Sequence, residues 1–438
     1  MNSGKMIGGA PPARIFGGRG VPAVNGFSDY IGRGEGMARE LEGIRIVEVG
    51  GAVAMPLPGV LLGSWGAEVV HVEPPGKGDN WRHVLGQGMA GWAKPHPINY
   101  YWEHADRNKK SICINLASAE GQAVLHKLIA SADIFVNNLR PYEMKKFNLT
   151  YEAMSKLNPK LIYANLTGYG TKGPEANAGG YDTVGFWARS GVMDLMHDAD
   201  SAPNISRPCY GDSITSLSLL AGMLAALYIR EKTGVAQAVE ISLYNTASWV
   251  LGFDIAGCLV SGEDVVRPQR KTMGNPIRNV YPTRDGRWIM LGMTNSQTYW
   301  AGFCKAIDRP DLENDPKFVT QAARAQNAAE LVKIIEEYFK ARPLAELREK
   351  LNANKCIWSP AATPLEVTKD EQAIANEFFV EWDHPKYGKI KVMNNPIKLS
   401  KTKAEIACPA PELGQHTADL MKGLGFSDEE IAKLKAAG

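Results

Sequence analysis

Ile44-Arg45-Ile46-Val47-Glu48-Val49, Gly50-Gly51-Ala52-Val53-Ala54, Pro58 to Trp65, Gly66-Ala67 and Glu68-Val69-Val70-His71-Val72 form the stretch on which the fold turns. Two β-branched runs flank a small-residue turn and an apolar helical segment, the order of a βαβ unit. The same alternation continues downstream. Asp133 to Asn137 and Leu161 to Leu166 read as strands, and Ser118 to Ala130 and Thr150 to Leu157 as helices. In the first of these helices Val124, Leu125, Leu128 and Ile129 fall on one face, with Ser118 as N-cap. Strands alternating with helices imply an α/β fold with a doubly wound parallel sheet, which binds ligands at the carboxyl ends of its strands. The Gly50 to Ala54 turn sits at such an end and offers close backbone approach to a flat ring.

Further along, Ile214 to Ile229 is apolar and rich in small residues, a buried helix, and Asp212 of Cys209-Tyr210-Gly211-Asp212-Ser213 lies just before it. Two readings of that carboxylate stand side by side. Asp is a favoured N-cap whose oxygen satisfies an orphan backbone donor. Held ionised by the helix dipole, with a flexible Gly beside it, it also suits a nucleophile. Ala238 to Leu243 reads as a further strand, followed by a helical stretch through Trp249 and Phe253.

The texture changes after that. Gly262 to Pro276 is rich in Arg, Pro and Gly and reads as a linker. Asp285-Gly286 between Tyr281-Pro282-Thr283 and Trp288-Ile289-Met290 is a hairpin signal, charged helices run from about Gln321 to Asn352, Glu381 to Ser400 alternates like a strand, and Asp428 to Lys435 is a short helix. The organisation expected is a Gly-rich extension over residues 1–40, a large domain over 41–260, a smaller α+β domain over 277–375 and a return to the large domain over 376–438.

With 438 residues, 45% of them apolar and 22% charged at a net charge of +2, the chain has an ordinary globular composition without the basic excess of a nucleic-acid binder. The six cysteines, at 113, 209, 258, 304, 356 and 408, never form Cys-x-x-Cys, so neither a disulfide framework nor a zinc knuckle is expected and a reducing cytoplasm is. Eight histidines give no metal-binding spacing, and no metal is expected. No uninterrupted apolar run reaches the length of a membrane span, and the first 36 residues, with ten glycines, lack the apolar centre of a secretory signal.

Gly168-Tyr169-Gly170-Thr171-Lys172-Gly173 matches the dinucleotide fingerprint after a predicted strand. That fingerprint requires its third Gly to open a helix, whereas Pro174, Asn177, Gly179 and Gly180 continue a loop. No tightly bound cofactor is expected. Arg107-Asn108-Lys109-Lys110-Ser111 and Asn137-Asn138-Leu139-Arg140-Pro141 place basic residues beside predicted strands, where they suit phosphates or are simply solvated.

In combination these blocks resemble the family III CoA-transferases, the group that includes formyl-CoA transferase and carnitine CoA-transferase. The resemblance rests on Leu41-x-Gly43-Ile44-Arg45-Ile46, on Gly66 through Gly76, on Asn108-Lys109-Lys110-Ser111 and on Ala132 through Asn138. It continues through Gly168-Tyr169-Gly170, Gly211-Asp212-Ser213 and Leu413-Gly414-Gln415-His416-Thr417. It implies that Asp212 is the nucleophile, forming an aspartyl anhydride and then an aspartyl-CoA thioester, with CoA thioesters as substrates. By resemblance CoA contacts fall on Ala52, Val53, Ile114, Asn138, Leu139 and Lys146. Pro74 and Lys146 stand where formyl-CoA transferase has Arg, and Lys109 and Lys110 are expected to compensate. Tyr181 is expected to line the acyl pocket and Gly274 to shield the intermediate. The resemblance further implies an interlocked homodimer, with a heteromer as the alternative.

The α-methylacyl-CoA racemases share the fold and use a His in Gly-His-Asp, where this chain has Gly180-Tyr181-Asp182. The missing His removes one member of an acid/base pair and favours transfer over racemisation. A catalytically silent CoA-binding subunit is the third reading, opposed by Gly211-Asp212. Asp182 is expected to be structural. Phe186 to Gly191 resembles the stretch found in transferases for aromatic or branched acids, and Arg189 is a candidate to face a second carboxylate. The acceptor expected is an organic acid, aryl-substituted in one reading, with succinyl-CoA or a related acyl-CoA as donor.

Overall fold

A computed structural model describes residues 40–85, 96–267 and 269–437; all but the last residue of the Gly-rich extension over 1–40 lies outside them. Six strands, β1 (Arg45–Val49), β2 (Glu68–Glu73), β3 (Lys109–Cys113), β4 (Ile134–Asn137), β5 (Ile162–Thr167) and β6 (Ala238–Ser242), form one sheet in the order β3-β2-β1-β4-β5-β6. All five pairings are parallel.

The core shows why the sheet is covered on both faces. Along each central strand successive side chains point to opposite sides. Ile46, Val69, Ile134, Val136, Ile162 and Ala164 pack on one side with Leu62, Leu219, Leu220 and Met223. Val47, Val70, Phe135 and Tyr163 pack on the other with Val124, Leu125, Leu128 and Ile129. Helices Leu57–Ser64 and Tyr210–Thr233 thus cover one face, and Ala119–Ala130, Pro141–Lys146 and Tyr151–Leu157 the other. Ser118 caps its helix as expected, its hydroxyl accepting the Gly121 N–H at 3.0 Å. The order in which strands are added reverses between β1 and β4, and the crevice at such a switch point is where these sheets bind ligands.

The remaining elements form smaller sheets. An antiparallel one joins β7 (Val280–Pro282), β8 (Trp288–Leu291) and β9 (Trp358–Pro360), with the expected turn at Asp285-Gly286. Trp300, Phe303, Ile335 and Phe339 fill its core. The alternating stretch near the C-terminus is a hairpin of β10 (Phe379–His384) and β11 (Gly388–Met393) that ends earlier than its sequence pattern suggests. Beyond it the chain runs back along the large sheet: the Asn108 amide bonds Glu405 O at 2.8 Å, the Cys113 N–H bonds Thr417 Oγ1 at 3.0 Å, and Leu420 and Met421 join the core.

Two differences from expectation concern helix Tyr210–Thr233. It starts four residues earlier than the apolar pattern, so Asp212 sits in its first turn and the N-cap is Cys209, held at φ +67°. Its 24 residues are also long and apolar enough to cross a membrane by length and composition, which the sequence pattern did not suggest. Here Leu219, Leu220, Met223 and Ala226 pack it on the sheet.

Candidate functional site

At the carboxyl ends of β1, β4, β5 and β6 lies a cavity of about 280 Å³, walled by Gly51 to Ala54, Asn138, Arg140, Glu143, Thr167, Gly168, Gly180, Tyr181, Asp212 and Leu243, among others. Of the site residues read from sequence, Ala52, Val53, Asn138, Tyr181 and Asp212 meet there. They come from four separate parts of the chain and are assembled by the reversal in strand order.

The turn after β1 is held from both sides. The Asn138 side chain donates to Gly51 O at 2.8 Å and accepts the Gly51 N–H at 3.2 Å. Asp79 accepts the Ala52 N–H at 3.2 Å, which fixes Ala52 at φ +69°. Glycine is required on this turn for space: a Cβ on Gly50 would fall 1.8 Å from Asn138 Oδ1, and one on Gly51 would fall 2.2 Å from Asp79 Oδ2. Asp79 is in turn anchored from below, its own N–H donating to Glu73 Oε2 at 2.9 Å and its carboxylate lying 3.4 Å from His71 Nε2. Despite burial, which alone would lower it, the His71 pKa is pushed up to about 10 by hydrogen bonds to Asp79 and Glu48 and by the charge of Asp106. His71 is therefore a buried imidazolium under the turn.

Lys109 belongs to this buried layer, and here the structure corrects the sequence reading. Its side chain is inaccessible, and its ammonium donates to Glu48 Oε2 at 2.9 Å, Pro56 O at 2.7 Å and Asp106 Oδ1 at 3.1 Å. All three protons are used, so none is left for a phosphate. Glu48, His71 and Asp106 bring potential metal-ligand atoms within 4.8 Å of one another, but the Lys109 ammonium bonds two of these groups and supplies the cation. Lys110 pairs with Glu68 Oε1 at 2.6 Å. Both lysines begin β3, at the opposite end of the sheet from the cavity. A sequence cannot say which end of a strand faces a ligand until strand direction is known.

The other expected contacts stand apart from the cavity. Ile114 is buried in the core beyond β3, Leu139 packs against the same cluster, and Lys146 is exposed beside the Phe147 ring. Gly274 is exposed in the loop before β7, with no atom within 4 Å of where a Cβ would stand, and is absent from the cavity wall. Arg189 is bonded to Glu175 and lies over the rings of Tyr169 and Tyr244, so its charge is already matched. The Gly168 to Gly173 loop opens no helix, as expected, and Gly168 has a different use. Its Cα packs against that of Gly180, and a Cβ on either would fall 2.6 Å from the other's Cα.

Asp212 projects from the helix start into this wall. Burial and, next, the charge of Asp182 push its pKa up to about 7. Asp182 is itself raised to about 6 by burial, partly offset by backbone N–H groups at the start of the same helix, and its Oδ1 accepts the Gly211 N–H at 3.0 Å. It thus satisfies an orphan donor of the helix that the sequence pattern assigned to Asp212. Gly211 is accordingly tightly packed: a Cβ there would meet Phe186 at 2.2 Å and Asp182 Oδ1 at 2.3 Å. Asp182 opens a π-helical turn, Asp182–Ala188, a rare form that recurs at functional sites. Sequence spacing offered no sign of this turn, and of the pairing with Asp212 only the carboxyl in Gly180-Tyr181-Asp182. The neighbouring Cys209 thiol is pushed up to about 12 by burial and both carboxylates, so it stays protonated and unreactive.

Residues 41–417 match the family model described as CoA-transferase family III. Among curated proteins the chain is similar to (R)-2-hydroxy-4-methylpentanoate CoA-transferase of Clostridioides difficile, at 32% identity covering 90% of this chain and 98% of that one. It is also similar to succinyl-CoA–D-citramalate CoA-transferase of Chloroflexus aurantiacus, at 31% identity covering 91% and 97%. Among solved structures a CaiB/BaiF family protein from Brucella suis superposes with a TM-score of 0.75 at 27% identity, covering 88% of this chain and 99% of that one.

Proposed function

The chain belongs to CoA-transferase family III, enzymes that move CoA between acyl-CoA thioesters and acids, and on that premise we propose that Asp212 carries the CoA. The supporting observation is the position of this carboxylate on the wall of the cavity at the switch in strand order, a wall shared with the Gly51 to Ala54 turn. A carboxylate oxygen of Asp212 attacks the thioester carbonyl of the donor, the C–S bond breaks, and a mixed anhydride and CoA thiolate result. The thiolate then attacks the aspartyl carbonyl, releasing the donor acid and leaving an aspartyl-CoA thioester. The acceptor carboxylate attacks that thioester, and the thiolate returned in this step attacks the acceptor carbonyl to give the new acyl-CoA and free Asp212. Every bond formed is matched by one broken, and no redox partner is needed.

A pKa near 7 fits this role, since a more basic carboxylate is a better nucleophile while remaining substantially ionised at neutral pH. The acceptor in this reading is an organic acid, with the exposed Tyr181 ring on the wall able to meet an aryl or branched substituent, and succinyl-CoA or a related thioester is the donor. In this reading CoA approaches the wall along the Gly51 to Ala54 turn, which Asn138 anchors.

The test is to incubate the protein with a panel of acyl-CoAs, quench with hydroxylamine and map the hydroxamate by mass spectrometry. Label at Asp212, together with loss of at least about a thousandfold in transfer rate in Asp212→Ala, is expected. Label elsewhere, or an undiminished rate in the variant, refutes the proposal. Rapid deuterium uptake at the α-carbon of a 2-methylacyl-CoA without transfer would turn the assignment to racemisation.

A further inference from the structure

We propose that Asp182 is the positioning residue for Asp212: one oxygen aims the helix start that carries the nucleophile, and its carboxyl shares a single proton with Asp212, so that the pair carries one negative charge. This rests on the assignment of Asp212 as nucleophile, and its geometry is independent of that assignment. Asp182 Oδ1 accepts the Gly211 N–H at 3.0 Å, one residue before Asp212. Its Oδ2 is buried without a hydrogen-bond partner, and the residue is only 5% exposed. A bare, water-excluded carboxylate oxygen is costly when charged and far less so as a hydroxyl. Asp182 is bonded to the residue before Asp212, and its charge pushes the Asp212 carboxyl up, so full ionisation of both is unfavourable. The pair therefore titrates as a unit, as two carboxylates sharing a site do.

The surroundings do not relieve this tension. Among the described residues, the titratable and charged groups around the pair include the Cys209 thiol, kept protonated by burial and by the two carboxylates, Arg207, whose charge acts on that thiol, and Tyr181, Arg140 and Glu143 on the cavity wall, the last two paired with each other at 3.0 Å. Two glycines and a ring fix the geometry. Gly211 admits Asp182 to the helix start, Phe186 presses on the same glycine, and Gly180 lets the Tyr181-Asp182 segment cross Gly168 at backbone contact. A residue whose sole task was to cap the helix would need its acceptor oxygen and nothing more. Asp182 carries a second oxygen that is buried and unbonded.

This makes the charge of Asp182, separately from its hydrogen bond, a determinant of how basic Asp212 is. Asp182→Asn keeps an oxygen for the Gly211 amide and removes the charge, whereas Asp182→Ala removes both. The experiment measures kcat/KM against pH for the wild type and both variants, with hydroxylamine trapping on each. In Asp182→Asn the acid limb, which reports ionisation of Asp212, is expected to move down by about one pH unit while the label stays on Asp212. Thermal stability should be held in Asp182→Asn and fall in Asp182→Ala. An acid limb unchanged in Asp182→Asn, with Asp212 still labelled, overturns the positioning role and leaves a simple cap. Absence of label on Asp212 in the wild type refutes the nucleophile assignment instead, so the two failures are distinguishable. If Asp182→Ala does not fold, the Asp182→Asn limb alone decides.

Discussion

At the scale of single residues, the site trades stability for reactivity. A carboxyl whose pKa is raised on folding binds its proton more tightly in the native state, so native stability falls as pH rises from the ordinary carboxylate value through the raised one. For Asp212 that window runs from about 4 to about 7. Asp212→Asn, which cannot ionise, should therefore stabilise the native state more at pH 8 than at pH 4, by about 1–2 kcal/mol after allowing for its partly exposed position, read as a larger rise in melting temperature at pH 8. Equal effects at both pH values in differential scanning fluorimetry would show that Asp212 is not strained in the folded protein. Lys109 is the opposite case, a charge kept for structure. Lys109→Met removes the ammonium bonded to the buried Glu48 and Asp106, leaving two carboxylates to the one His71 cation, and should cost about 3–5 kcal/mol. In the fraction that folds, KM for acyl-CoA should stay within about twofold of wild type, a change under 1 kcal/mol, because the Lys109 ammonium spends all its protons on Glu48, Pro56 and Asp106 and none on a phosphate. A KM raised tenfold with stability intact would return Lys109 to the phosphate.

At the scale of elements, what was legible in the sequence was whatever is decided within a dozen neighbouring residues. The strand–turn–helix–strand order from Ile44 to Val72, the Ser118 cap and the Asp285-Gly286 hairpin all have local causes, and each is present. The illegible parts depend on distant partners. The start of the helix at Tyr210 depends on Asp182, 29 residues upstream of Gly211. Burial of Lys109 depends on Glu48, across β2, and its distance from the cavity depends on the direction of β3. For the same reason Gly168 and Gly180, conspicuous as part of a nucleotide motif and its loop, are explained only by their crossing. Gly180→Ala would force a Cβ to 2.6 Å from Gly168 Cα, a clash with backbone that no rotamer relieves. It should destabilise the protein by about 1–3 kcal/mol and displace Tyr181 from the wall, lowering kcat/KM more than stability alone explains. Gly179→Ala, where a Cβ meets nothing within 4 Å, is the control, and equal losses in both variants would show that the crossing does not position the wall.

At the scale of the whole molecule, the described chain leaves a large apolar face uncovered. Helix Gly252–Ser261 has no buried residue, and Trp249, Phe253, Leu259 and Val260 are 81–97% exposed. Tyr228 and Ile229, at the end of the long helix beside the sheet, add to the apolar exposure. Monomers rarely leave so many large apolar side chains of one short stretch in water. We propose that a second copy of the chain covers it, in the interlocked arrangement that the family resemblance implies. Burial of one Phe or Leu side chain contributes about 1.5–3 kcal/mol, so a few such residues from each of two chains suffice to hold an obligate pair. Light scattering should then give twice the chain mass at micromolar concentration, and the denaturation midpoint should rise with protein concentration, as it does when folding and association are coupled. Phe253→Glu with Val260→Glu should dissociate the pair or leave the chain unable to fold. Either outcome is distinguishable from a harmless surface change by the midpoint alone. A wild-type protein that is monomeric, with a midpoint independent of concentration, would mean that the apolar face has another occupant.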